Sequence, residues 1–230
     1  MASKAFQLAK NLRKKGDLAG LRKLFHNGDA AEKTAVLDGL AGNANDNLDM
    51  GPAIIHLATE GAAHSSHDVR YQSCQVFQQL GAYGVDVTAA VEPLLTLLHD
   101  PVAKVRRMAA YATGNVCKQR LEWSPHLTAL ISLLRDKDLY VPEAAARALA
   151  DFSRAKFDIG PAVSTLVKVL KPDQDYDEPA KEAAKALLHF ARKSTQNRER
   201  VRAAVAKARL DPEHKVVQRF LDKLQELDAR

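Results

Sequence analysis

The sequence predicts an all-α chain built from about six helical hairpins repeating along its length. Three observations carry the prediction. A seven-residue apolar run, Leu94-Leu95-Thr96-Leu97-Leu98-His99-Asp100, returns 36 residues later as Leu130-Ile131-Ser132-Leu133-Leu134-Arg135-Asp136. It returns again after 36, more loosely, as Leu166-Val167-Lys168-Val169-Leu170-Lys171-Pro172. Each run is followed by an alanine-rich one: Met108 to Ala112, Ala144 to Leu149, and Ala183 to Leu187. Finally, aromatic residues make up only 6% of the chain while alanine, leucine and lysine dominate, which suits helices and suits strands poorly. A single hairpin cannot hide its own apolar side, so neighbours must stack on one another, and the repeat predicts an α-solenoid over residues 1–230.

The elements follow in order. An N-terminal helix is expected over 3–14, where Phe6, Leu8, Ala9 and Leu12 form a stripe able to cap the first repeat. Gly16-Asp17 breaks it, with Asp17 as the next N-cap. Leu18, Leu21, Leu24 and Phe25 mark one helix, and Asp29 caps a second that carries Val36, Leu37 and Leu40. These make the first repeat, 17–42. The polar stretch from Gly42 to Asp49 reads as a loop.

The second repeat, 50–83, opens on Gly51-Pro52, proline being tolerated in a first helical turn. Its inter-helix loop is expected over Gly61 to His67. The third, 88–119, turns at Asp100-Pro101. The fourth, 124–156, opens on Ser124-Pro125, and the fifth, 160–193, on Gly160-Pro161. The turn of the fifth repeat contains Asp173, Asp175, Asp177 and Glu178. It reads as a solvated acidic loop that favours the N-terminus of the following helix, since it lacks the glycine and distal glutamate of a calcium loop. A last hairpin, 197–228, has the charge-dense surface expected of a terminal repeat.

The balance of 34 basic against 28 acidic residues, a formal charge of +6, tilts toward an acidic partner but does not select one. No run approaches a membrane-spanning length. The first fifteen residues read as an amphipathic helix and not as a secretory signal. Two cysteines, Cys74 and Cys117, cannot make a disulfide framework, so buried free thiols in a reducing cytoplasm are expected. There is no phosphate-cradling glycine loop, nucleophile elbow, His-Glu-x-x-His or Cys-x-x-Cys, hence no expected catalytic residue, metal ligand or cofactor. The histidine pair in His64-Ser65-Ser66-His67-Asp68 reads as a polar inter-helix loop rather than a metal site. Trp123 is expected to pack at a junction between repeats.

The openings and turns resemble the HEAT-repeat family. Pro93, Leu94, Leu97, Leu98, Asp100, Val105, Arg106, Ala109 and Ala110 carry its pattern almost in full, and Asp68-Val69-Arg70 carries part of it. The fourth repeat keeps Asp136 and Val141 but has Pro142 in place of the arginine. The resemblance implies a right-handed stack whose second helices line a concave face. It also implies that Asp100 and Arg106 help link neighbouring repeats.

On that face the expected partner-binding residues are Tyr71, Gln72, Gln75, Gln79, Lys104, Arg107, Tyr111, Arg147 and Lys185. The leading expectation is a non-enzymatic module binding a protein, one whose acidity would answer the positive charge, in the role of adaptor, scaffold or inhibitor. Stand-alone bacterial helical-repeat immunity proteins are similar in build. The alternative is a nucleic-acid binder, related to DNA repair, with a basic track on the same face. Basic clusters at Lys10, Arg13, Lys14, Lys15, Arg22 and Lys23 and at Arg198, Arg200, Arg202, Lys207 and Arg209 belong to that second reading.

Overall fold

A computed structural model describes residues 3–42, 44–119, 121–171 and 176–227. The described residues form thirteen α-helices and no strand. They fall into two compact units, Met1–Trp123 and Ser124–Arg230.

The first unit holds α1 (Lys4–Lys15), α2 (Leu18–Asn27), α3 (Ala30–Ala41), α4 (Gly51–Ala62), α5 (His67–Ala82), α6 (Val91–Leu97) and α7 (Ala103–Val116). The starts of α1, α2 and α3 are fixed by local side chains, as their sequence implies. Asp17 accepts from the Gly20 N–H at 2.8 Å. Asp29 and Glu32 exchange bonds at 2.9 and 3.1 Å in a capping box, satisfying two donors the helix itself cannot. Packing then sorts the helices into two layers. α1 lies on α3, α3 on α5 and α5 on α7, while α2, α4 and α6 each cover a helix of that row. The alanines explain the close row: Ala109, Ala110 and Ala112 of α7 are fully buried, and small side chains let helix axes approach. Leu21, Leu37, Ile54, Phe77, Leu80 and Leu94 fill the space between the layers.

One boundary departs from expectation. The loop anticipated over Gly61 to His67 is shorter, because α4 runs through Gly61 and Ala62 and α5 begins at His67. Gly61 is buried with Ser73 of α5 hard against it, so its role is close packing and not a turn.

The second unit holds α8 (Ser124–Leu133), α9 (Val141–Arg154), α10 (Val163–Val169), α11 (Glu178–Ala191), α12 (Thr195–Ala208) and α13 (Lys215–Glu226). α9, α11 and α13 form its row, with α8 on α9 and α10 against both α11 and α12. Ala144, Ala145, Ala148, Ala183 and Ala186 are buried where the row closes. α13 turns Val217, Phe220 and Leu224 inward and leaves its charged side to solvent. Of the acidic turn, Asp173 and Asp175 lie outside the described residues. Asp177 stands 3.3 Å from His214 Nε2, and Glu178 pairs with Lys181 at 2.6 Å.

Candidate functional site

In the first unit, α5 and α7 pack side by side, and a residue on one has its counterpart 36 positions on in the other. Tyr71 is matched by Arg107, Gln75 by Tyr111 and Gln79 by Asn115. All but Gln79 are half-buried, and Gln79 is exposed. The side chains meet across the helices. Lys104 Nζ sits 4.5 Å from the Tyr71 ring centroid and 3.3 Å from Asp68 Oδ1. Such a cation–π contact holds the ring in place while the carboxylate takes up much of the charge. Gln75 Nε2 donates to the Tyr71 hydroxyl at 3.4 Å. Gln72 Oε1 is buried and accepts no hydrogen bond.

Seven of the nine expected residues are therefore on one pair of packed helices: Tyr71, Gln72, Gln75, Gln79, Lys104, Arg107 and Tyr111. Arg147 and Lys185 belong to the second unit, exposed on the adjacent helices α9 and α11. Lys185 Nζ is bound by Glu182 Oε1 at 2.6 Å. Asn115 was not among the expected residues. Applying the 36-residue offset to Gln79 points to it directly, and its Nδ2 donates to the Tyr111 carbonyl at 2.8 Å.

Several cations expected to form a basic track have carboxylate partners. Lys104 is joined to Asp68 at 3.3 Å, Arg154 to Asp151 at 3.0 Å and Lys181 to Glu178 at 2.6 Å. Arg13 departs furthest from its expected place in a surface cluster. It is completely buried, and its guanidinium donates to the carbonyls of Leu40 at 2.7 Å, Ala44 at 2.6 Å and Asp46. It closes the C-terminal end of α3, where the last carbonyls have no helical donor. Burial lowers its pKa, with Asp46 acting the other way.

Asp100 and Arg106, the residues expected to help link neighbouring repeats, meet at the turn between α6 and α7. Asp100 is gripped by Arg70 of the preceding repeat, Nε to Oδ2 at 2.6 Å and Nη2 to Oδ1 at 3.0 Å, and it caps Val102 N–H at 2.9 Å. Arg106 instead donates to the carbonyls of Asp100 and Pro101 at 2.8 and 3.1 Å. Arg70 makes the same pair of turn contacts, to His64 and Ser65, at 3.0 and 2.8 Å. The arginine at this repeat position thus fastens its own turn, and through Arg70 the second repeat is joined to the third.

The remaining candidates have structural partners. His64 Nδ1 accepts from the Ser66 N–H at 3.0 Å, while His67 Nδ1 lies 3.4 Å from Asp68. Among the described residues no group of three or more His, Cys, Asp or Glu could hold a metal ion. Cys74 and Cys117 are free and buried, and burial raises the Cys74 pKa strongly. Trp123 is buried and its indole N–H donates to the Gln119 carbonyl at 3.1 Å. No described helix is long and apolar enough to cross a membrane.

Residues 90–120, which contain α6, the Asp100 turn and α7, match the HEAT repeat family. This hairpin is a HEAT repeat. The HEAT-like repeat fold extends well beyond it, as solved structures of stacked helical repeats show. The chain is similar to an engineered protein of the Northeast Structural Genomics Consortium, with a TM-score of 0.72 and 24% identity over 92% of this chain and 98% of that one. It is similar to computationally designed armadillo repeat proteins for modular peptide recognition, with a TM-score of 0.73 and 21% identity over 91% and 99%. A designed armadillo repeat protein in complex with the peptide (KR)4 superposes with a TM-score of 0.65 at 20% identity, over 98% and 99%. No curated protein matches the sequence. At these identities the likeness speaks for the fold.

Proposed function

We propose that this HEAT-like protein is a non-enzymatic binding module that holds a protein partner, in extended form, against the α5/α7 face of its first unit. The observation that carries the reading is the ladder of Tyr71, Gln75 and Gln79 on α5 beside Arg107, Tyr111 and Asn115 on α7. Aromatic and amide side chains supply contact area and adaptable hydrogen bonds at low entropic cost. A row at fixed spacing suits an extended chain, whose own side chains recur at fixed spacing. The designed armadillo repeat protein that resembles this chain is in complex with a peptide, (KR)4, which supports the same mode for this fold. Lys104 and Asp68 pair with each other on this face at 3.3 Å, and the chain's formal charge of +6 favours a neutral to acidic segment. An adaptor or an inhibitor of immunity type would each use such a face.

The test is capture from the native host by the tagged chain, identification of what is retained, and titration of that purified partner. Arg107→Ala with Tyr111→Ala should weaken binding at least tenfold, with only a shallow dependence on salt. Undiminished binding by the double variant removes the α5/α7 face from the account. Affinity that falls by orders of magnitude over a fourfold rise in salt shows that phosphates are the ligand instead.

A further inference from the structure

The second unit contains a cleft of about 380 Å³ where the end of α9, the end of α11 and the start of α12 meet. Its walls carry Lys156, Lys193 and Arg200 with Gln196 and Asn197, and Asp158 is the one acid among them. Asp158 is already engaged, its Oδ1 accepting from the Gly160 N–H at 2.8 Å. Lys156 and Arg200 make no ion pair or hydrogen bond through their side chains among the described residues. Lys193 Nζ donates to the Phe157 carbonyl at 3.1 Å and faces no carboxylate within ion-pair distance among the described residues. Partial burial lowers its pKa, Asp158 opposing. The pKa of nearby His189 is lowered first by burial and then by Arg154, Arg192 and Lys193. The cleft lining thus carries three cations against one carboxylate.

The first unit contains the same turn, and there the counterparts Gly84, Thr88 and Gln119 are uncharged. After α5, Gly84 takes a left-handed φ of 80° while Gly84 N–H bonds the Gly81 carbonyl and Val85 N–H bonds the Leu80 carbonyl, at 3.1 Å each. After α9, the same pattern has Lys156 N–H on the Ser153 carbonyl and Phe157 N–H on the Phe152 carbonyl, at 3.0 Å each. Lys156, with φ of 74°, stands where Gly84 stands. A left-handed lysine costs about 1–2 kcal/mol that a glycine does not. Asp86 caps Thr88 N–H in the first junction as Asp158 caps Gly160 N–H in the second, both at 2.8 Å. Gly160 therefore replaces a side chain, and into that space comes Arg200. Its Nη1 would lie 2.1 Å from a Cβ at residue 160. The third exchange is Lys193 for Gln119. In the first unit Gln119 Nε2 donates to the Val85 carbonyl at 2.7 Å, the carbonyl equivalent to the one Lys193 reaches at Phe157. Uncharged residues at these positions build the turn in the first unit, so the turn itself does not require cations there. The fields at the C-terminal ends of α9 and α11 favour cations at Lys156 and Lys193, but Arg200, inside α12, gains nothing from either.

We propose that this cleft is a phosphoryl-binding site in which Lys156, Lys193 and Arg200 converge on one dianion. Three cations approaching from different elements fit the several oxygens of a phosphoryl group better than the two of a carboxylate. The site is separate from the α5/α7 face and does not rest on the function proposed for it.

The test is calorimetric titration of the full chain with inorganic phosphate and, separately, with phosphoserine blocked at both termini. Saturable binding at one site per chain is expected for at least one of them. Tighter binding of the blocked phosphoserine identifies a phosphorylated protein as the source, and equal or tighter binding of phosphate identifies the free ion. Arg200→Gln should weaken binding about tenfold or more, the loss of a charge-assisted hydrogen bond. Gly160→Ala should weaken it comparably with every charge retained, by displacing the guanidinium. Lys156→Gly should weaken binding while leaving the fold at least as stable, which separates the site from folding. Lys207→Gln, an equal loss of charge elsewhere on α12, should leave affinity unchanged. Absence of saturation by either probe up to roughly 10 mM overturns the proposal. So does a loss in Lys207→Gln equal to that in Arg200→Gln, since the attraction would then be diffuse.

Discussion

Replacing Arg13 by methionine keeps most of the apolar bulk of the side chain and removes the guanidinium. Three donated hydrogen bonds disappear, to Leu40, Ala44 and Asp46. Leu40 and Ala44 are almost wholly buried, at 0% and 4% exposure, whereas the Asp46 backbone lies at a half-exposed position where water can substitute. Two buried carbonyls left without donors cost about 1–3 kcal/mol each. Against that, the native state no longer holds a buried cation whose protonated form is disfavoured there. The balance is a destabilisation of about 2–4 kcal/mol, a large share of what a domain of this size has to lose. With a typical urea slope near 2 kcal/mol/M, the midpoint should fall by about 1–2 M. The only tryptophan, Trp123, is buried in the same unit, so its fluorescence reports the unfolding that matters. Arg13→Lys, which can reach one carbonyl at a time, should fall between. A methionine variant within about 0.5 kcal/mol of the parent would refute the reasoning. Arg13 would then be idle, and the end of α3 would be closed by something other than its guanidinium.

Two further outcomes follow from pairs at the repeat junctions. Asp100→Ala leaves the Arg70 guanidinium without its carboxylate and Val102 N–H uncapped, and should cost about 2–4 kcal/mol by the same fluorescence assay. Asp100→Asn, whose one oxygen can still accept from Val102 N–H and Arg70 Nη2 while its amide group meets the Arg70 Nε–H, should cost less than the alanine. The pKa of His189 is depressed below 6.5 in the folded chain, so between the two values the unfolded state binds more protons. Stability of the second unit should therefore fall as pH drops through 6.5, and His189→Gln should flatten that part of a stability-against-pH profile. An unchanged slope would show that the charges of Arg154, Arg192 and Lys193 and the burial of the ring have no such effect.

The helices, their order and most of their ends are legible in the sequence because the forces that set them are short-ranged. Asp17 and Asp29 cap helices three residues away, and the recurrence of Leu94 to Asp100 at Leu130 to Asp136 needs no knowledge of which helix touches which. The α5/α7 face was legible for a related reason: a residue on one second helix predicts its neighbour one period on, as Gln79 predicts Asn115. What the sequence could not determine is the fate of each charge. Arg13 reads as one more surface cation beside Lys14 and Lys15, yet residues 27 to 33 positions away in the chain bury it. Lys104 reads as a free contact residue, yet Asp68 and Tyr71 hold it. The Asp100 carboxylate finds Arg70, 30 positions back in the chain. A charged side chain is long and its pairing energy depends on distance and burial together. Only the folded chain, which brings separate segments to within a few ångströms, decides whether a given cation is a strut, a partner in a pair, or one of the three that face the cleft beside Gly160.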